Sequence, residues 1–253
     1  MFASQIILFL TKKEREITYL QNILLAVDAF IVMSEKVTGD LMLFDKTKPV
    51  KLIQHPLYDN FGDKIDKKLA RKNIGIEGKE KIILFFGFIR KYKGLDILLD
   101  ALALIKKENS SITFKVLIAG EFYEDRKPFD EQVARLGLED MLILRTEFIP
   151  DNEVRNYFCA ADVVIQPYRN ATQSGVTPIA YHFEIPMIVT NVGGLPALVP
   201  DGKVGLVAEP NAKSIAQKIN EYLTKDEQFF IKNIIEEKKK FSWKKMVDAI
   251  IEI

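Results

Sequence analysis

From Lys81 onward the chain alternates between short apolar runs and helical patterns, and this constrains its fold more than any other feature. The runs are "IILFFGF" (82–88), "ITFKVLIAG" (112–120), "MLILRT" (141–146), "DVVIQPY" (162–168), "MIVTNV" (187–192) and "KVGLVAE" (203–209). Helical patterns fall near 94–107, 128–136, 151–160, 175–183 and 212–224. Strands and helices alternating at this spacing give parallel strands joined by right-handed crossovers. The expected fold class is therefore α/β, a doubly wound parallel sheet. Near-continuous apolar strands mean that helices cover both of its faces.

The first eighty residues do not continue the pattern. "LLAVDAFIVMSEKVTGDLMLF" reads as helix, strand and helix, with Ser34 as an N-cap, and "KPVKLIQHP" as another strand. "LYDNFGDKID" is a turn-rich connector, and "KKLARKNIGIEGKEK" a basic helix and loop. The apolar opening "MFASQIILFL" has its charges after the run instead of before it, unlike a secretory leader. It reads as a buried edge, with a membrane-surface contact as the alternative. At the other end "EEKKKFSWKKMVDAIIEI" reads as a basic helix followed by an amphipathic one, with Phe241 and Trp243 available as anchors.

A net charge of +1 supplies no field for nucleic acid. One cysteine, Cys159, excludes a disulfide framework and a cysteine-based zinc site, and two histidines far apart in sequence argue against a histidine site. These features fit a cytoplasmic protein. The lysines of the C-terminal run read as a solvated helix face, with a peripheral contact to anionic membrane as the alternative.

In an open parallel sheet, ligands sit beyond the carboxyl ends of the strands, so the loops leaving them carry the chemistry. "GFIRKYKG" (Gly87–Gly94) brings Arg90 and Lys93 to a helix start, which suits a di- or triphosphate or is simply a solvated basic loop. It has neither a G-x-G-x-x-G nor a Walker pattern. Glu121 and Tyr123 of "AGEFYED" can touch a ribose or base, or cap the loop. "TEFIPDNEV" places Phe148 near a base edge, with Asp151 or Asn152 as the cap of the next helix. In "NATQSGVTPIAYHFEIP", Thr172, Gln173 and Ser174 precede a helix, and the amides of Ser174, Gly175 and Val176 would point at an anion. The alternative is that these residues only cap a helix. The glycines of "TNVGGLPALVPDGKVG" precede a Leu-Pro turn and read first as backbone geometry, with a close sugar or helix approach as the alternative.

Taken in order and spacing over roughly residues 25–250, "FFGFIRKYKGLDILLDAL", "FIPDNEVRNYFCAADVVIQPY", "ATQSGV", "IPMIVTNVGGLPALVPDGKVGLV" and "FSWKK" resemble the group 1 (family 4) glycosyltransferases of the GT-B fold. The resemblance implies two Rossmann-like domains and retaining transfer of a hexosyl group from a nucleotide-diphosphate sugar to an acceptor hydroxyl. The acceptor would be a glycan or a lipid-linked glycan, as in bacterial glycan or glycolipid synthesis. It implies no cofactor and no metal, so protein cations must neutralise the departing diphosphate. Lys93 matches the family's phosphate lysine. The family's arginine after the strand glycine is Phe88 here, and Arg90 is the candidate substitute. The base would rest beside Phe148 and Ile149. Two glutamates common in the family correspond to Ala171 and Ile179, which leaves sugar contacts to Gln173 and Ser174.

The expected organisation is 1–56 as a remnant of the acceptor-side domain, 57–79 as connector, 80–240 as the donor-binding domain and 241–253 as a crossover helix. A remnant of that size predicts exposed apolar surface near both termini, and the chain reads as a fragment, a mis-started reading frame or the partner of a separately encoded N-terminal half. The other function kept open is a non-catalytic nucleotide-sugar-binding module or partner subunit.

Overall fold

A computed structural model describes residues 26–58, 60–108, 114–172 and 174–253. The apolar opening run and Gln173 lie outside these residues. The chain divides into two compact units: Met1–Leu57 with Lys239–Ile253, and Tyr58–Lys238.

In the smaller unit, strands β1 (Phe30–Val32) and β2 (Val50–Leu52) pair in parallel around helix α1 (Glu35–Leu41). Ser34 caps that helix by accepting from the Val37 amide at 3.3 Å. Val27, Phe30, Val32 and Leu41 form a buried cluster in this unit. The C-terminal helix of this unit, Trp243–Ile251, starts at Ser242, whose hydroxyl accepts from the Lys245 amide, and it buries Met246 and Ala249. Phe241 is buried, whereas Trp243, Val247 and Ile251 are exposed, an apolar stripe of the kind expected at that terminus.

The larger unit opens with α2 (Lys67–Asn73), capped by Asp66. It continues as β3 (Lys81–Phe86), α3 (Leu95–Glu108), β4 (Phe114–Ala119), α4 (Lys127–Leu136), β5 (Leu142–Arg145), α5 (Asp151–Ala160) and β6 (Val163–Gln166). Then follow α6 (Val176–His182), β7 (Met187–Thr190), α7 (Leu195–Leu198), β8 (Gly205–Ala208), α8 (Ala212–Leu223) and α9 (Glu227–Glu237). The six strands run parallel in the order β5-β4-β3-β6-β7-β8. Strand residues of one parity (Ile83, Phe85, Val116, Ile118, Val163, Ile165) pack on Leu98, Leu102 and Ile105 of α3 and Ile215 and Ile219 of α8. On the opposite face Phe86, Phe158 and Phe183 form a chain of ring contacts. Fully burying each such side chain contributes roughly 1.5–3 kcal/mol.

The sheet thus has the anticipated class, with two local corrections. Neither Asp151 nor Asn152 caps α5: Pro150 holds the cap position without a side-chain bond, and Asp151 is the first helical residue, where its charge suits the helix dipole. The segment after the paired glycines is a short helix, Leu195–Leu198, instead of only a turn.

Candidate functional site at the switch point of the sheet

The chain winds outward from β3 through β4 to β5, then returns to β6 on the other side of β3. The loops leaving β3 and β6 therefore diverge and open a crevice, the usual ligand position in such sheets. Close backbone contact holds the two loops together. Gly94 has φ +67°, and a side chain there would begin 2.0 Å from the Pro167 carbonyl oxygen. Only glycine lets the chain turn into α3 while touching the segment after β6.

Lys93 lies in this crevice and is 7% exposed. Its ammonium donates a long hydrogen bond of 3.5 Å to the Phe86 carbonyl and lies 5.9 Å from the centre of the Tyr168 ring. A side chain on Gly87 would begin 2.9 Å from it. Among the described residues no carboxylate approaches it. Burial, reinforced by the nearby Arg90 guanidinium, lowers its pKa to about 8. An ammonium withheld from water and from any counter-ion is costly in the empty state, and a bound anion removes that cost. Arg90 is exposed, its guanidinium stacked 4.5 Å from the centre of the Tyr123 ring, and it has no ion pair among the described residues.

From β6, Tyr168 and Ser174 complete the crevice, their hydroxyls 3.2 Å apart. Desolvation raises the Tyr168 phenol well above its ordinary pKa. The Ser174 hydroxyl accepts from the Val176 amide at 3.2 Å. The Val176 amide is therefore already partnered and does not point freely at an anion, a correction to the expected trio of amides. Ser174 is buried, while Gly175 and Thr172 are exposed. Ala171 and Ile179 are buried apolar residues. A side chain on Gly193, φ +54°, would begin 1.4 Å from the Ala171 carbonyl oxygen, so the paired-glycine loop packs directly on this loop.

Of the other candidates, Glu121 and Phe148 are exposed and Ile149 half-buried at the ends of β4 and β5. Among the described residues no group of His, Cys, Asp or Glu side chains converges as a metal site would require. No described helix is long and apolar enough to cross a membrane.

Sequence reasoning missed Gln166 and the pairing of Phe88 with Tyr123. Gln166 is 1% exposed, and its side-chain oxygen accepts from the Thr177 hydroxyl at 3.1 Å. Its amide nitrogen has no partner among the described residues. The available signal was a lone polar residue in an otherwise apolar strand. Phe88 and Tyr123 stack edge to face, ring centres 4.5 Å apart, on adjacent strand extensions.

A parallel sheet with a buried cation at its switch point defines the class: a doubly wound α/β domain. The model of the glycosyl transferases group 1 family matches residues 66–241, and the chain belongs to that family. It is 29% identical over 239 residues to a D-inositol 3-phosphate glycosyltransferase of Mycolicibacterium gilvum, covering 91% of this chain and 52% of that protein. Sucrose-phosphate synthase from Thermosynechococcus elongatus superposes with a TM-score of 0.80 at 22% identity, over 95% of this chain and 61% of that one. Anabaena HepE in complex with UDP and glucose gives a TM-score of 0.75 at 20% identity, over 94% and 65%. These neighbours have the GT-B fold. The chain spans about half the length of the curated relatives it matches.

Proposed function

We propose that residues 80–240 bind a nucleotide-diphosphate sugar, with the diphosphate held between Lys93, Arg90 and the loop through Ser174, and that the protein serves retaining, metal-independent hexosyl transfer to the hydroxyl of a glycan or lipid-linked acceptor. The observation that carries this reading is the buried Lys93 ammonium, without a counter-ion among the described residues. An arriving diphosphate supplies its missing charge and raises its pKa again, and as the anomeric bond breaks the same cation meets the growing negative charge on the leaving oxygen. Arg90 provides a second charge from the exposed side. Two cations beside the leaving group do what a divalent ion would otherwise do. The acceptor then attacks from the face that the diphosphate leaves, which retains the anomeric configuration. In this reading 1–56 belongs to the acceptor side, 57–79 connects the two parts and 241–253 is the crossover helix. A separate N-terminal half would complete the acceptor site. HepE, solved with UDP and glucose, exemplifies such an occupant on this fold.

A second reading, a nucleotide-sugar-binding module without turnover, is favoured by Ala171 and Ile179, since both positions are apolar and buried where the resemblance places glutamates. Thermal melts of the chain against UDP-, GDP- and ADP-sugars test the shared part. One nucleotide should raise the midpoint by roughly 2.7 kcal/mol of stabilisation at a hundredfold excess over its dissociation constant, with EDTA making no difference. The rise should vanish in the Arg90→Ala, Lys93→Ala double variant. No rise with any donor would overturn donor binding, and binding without sugar release to any acceptor would select the second reading.

A further inference from the structure

We infer that a cavity between the first turns of α3 and α4 is a second binding site, for a small organic anion with an aromatic or branched aliphatic body, and that its occupant regulates the donor site through Arg90. The regulatory part rests on the diphosphate site proposed above, whereas the cavity does not. Its volume is about 500 Å³, within the range that holds a small molecule. Lys93, Tyr168 and Ser174 lie outside its lining, so it is distinct from the crevice.

The floor of the cavity is apolar. Ile89 and Phe122 pair across the extensions of β3 and β4, and their side chains join the core on the α3 face of the sheet. Leu95 and Phe129 line it beside them, and the Phe122 and Phe129 rings lie 5.2 Å apart, tilted by 54°. Gln132 ties the two helices together at its edge. The amide nitrogen of Gln132 donates to the Asp96 carbonyl at 3.0 Å and to the Asp100 carboxylate at 2.8 Å. The hollow is therefore formed before anything enters it, and an apolar body gains by displacing water from it.

The rim decides the sign of the charge it takes. Its carboxylates are already engaged within the chain: Asp96 pairs with Arg169, Glu124 accepts from the Lys91 amide at 3.3 Å, and Asp125 accepts from the Lys127 amide at 3.0 Å. Arg90 and Lys91 are exposed at the same rim, and among the described residues neither side chain has a hydrogen bond or an ion pair. The uncommitted charges are thus positive, and an anionic head on an apolar body meets both of them. Arg90 borders cavity and crevice alike, since its charge also reaches Lys93 and helps to lower that pKa. An occupant that takes the planar guanidinium into its own contacts withdraws the second cation from the diphosphate. By linkage, a bound donor weakens the occupant by the same factor.

Calorimetric titration of the Lys93→Met chain, whose crevice has lost its cation, with naphthyl phosphate, naphthol and inorganic phosphate tests the cavity. Naphthyl phosphate should bind roughly tenfold or more tighter than either part alone, and adding Lys91→Ala should remove about tenfold of that affinity. Lys91 is exposed, so its replacement should leave the melting temperature unchanged. No binding, equal affinity for naphthol and naphthyl phosphate, or no loss with Lys91→Ala would overturn the anion site. In the wild-type chain, naphthyl phosphate should lower the affinity for whichever of UDP, GDP and ADP binds, and the fall should level off as the probe is raised. A fall without limit would mean direct competition in the crevice, and no fall would mean that Arg90 is not shared; either overturns the regulatory part and leaves the donor reading standing. If the wild-type chain binds no nucleotide, the donor reading and the regulatory part fall together, and the first titration still decides the cavity.

Discussion

The two ends of the parallel sheet treat buried charge in opposite ways. At the amino ends of β3 and β6, Asp162 is 5% exposed and accepts from Lys67 at 2.8 Å, Arg71 at 2.8 Å and the Ile82 amide at 2.6 Å. Glu227 takes a further bond from Lys67 and one from Lys81. Burial alone would lower the Lys67 pKa, but its hydrogen bonds to Asp162 and Glu227 outweigh it and hold the value above the ordinary one. At the carboxyl ends Lys93 meets the same desolvation with no carboxylate, and its pKa falls to about 8. One end closes its charges internally and ties α2 to the sheet. The other leaves a cation and the Gln166 amide uncompensated, which is the mark of a group waiting for something outside the chain.

The largest expected effect comes from opening the closed end. Asp162→Ala would strand the Arg71 guanidinium and the Ile82 amide in a buried place, and removing one partner from such a network typically costs ~3–5 kcal/mol. Urea unfolding should show that loss with donor affinity unchanged wherever the variant remains folded. A loss under about 1 kcal/mol would mean that the hub is solvated and that the contrast between the ends is smaller than it looks.

Next in size is Lys93→Met, and here the sign is reversed. The folded pKa of about 8 lies below the ordinary lysine value of 10.5, so in that window the unfolded chain holds a proton that the folded chain lacks. The penalty of burying the ammonium is complete below the lower value and fades as pH rises to the upper one. The ligand-free variant should therefore be more stable than wild type by about 3 kcal/mol at pH 7, with no advantage near pH 11. It should also lose nucleotide binding. In wild type the affinity should fall by roughly tenfold between pH 7 and pH 9, as the free protein gives up the proton that the complex needs. A pH-independent stability difference would show that Lys93 is not carrying its charge into a dry site.

This contrast was only partly legible in the sequence. The sheet was readable because β-branched runs and helical periods are local signals, and each of its six strands formed within a few residues of its predicted place. Lys93 was nameable as a cation in a loop that opens a helix, but not its burial, because the side chain folds back beneath Gly87 and beside a tyrosine contributed by β6. Asp162 drew no notice, since its partners Lys67 and Arg71 come from 95 and 91 residues away. The same limit applies to Phe88 and Tyr123, which meet only through strand pairing. Ser174 shows a subtler one: composition reveals a hydroxyl at a helix start, but not that the Val176 amide has already claimed it.

The smallest predicted effect is also the most discriminating for the open end. Gln166→Leu removes the orphaned amide from β6 and costs Thr177 the acceptor of its hydroxyl. An unsatisfied buried donor costs ~1–3 kcal/mol, and the stranded Thr177 hydroxyl costs about as much, so the stability of the empty chain should change by less than about 1 kcal/mol. The double variant Gln166→Leu, Thr177→Val should be more stable than the single one, because no polar atom of the pair is left behind. If the single variant instead loses more than about 1 kcal/mol in urea unfolding, the amide has a partner in the folded chain. Among the described residues Lys93 would then be the one uncompensated group at this end of the sheet, and a diphosphate would be drawn there by charge, without help from the Gln166 amide.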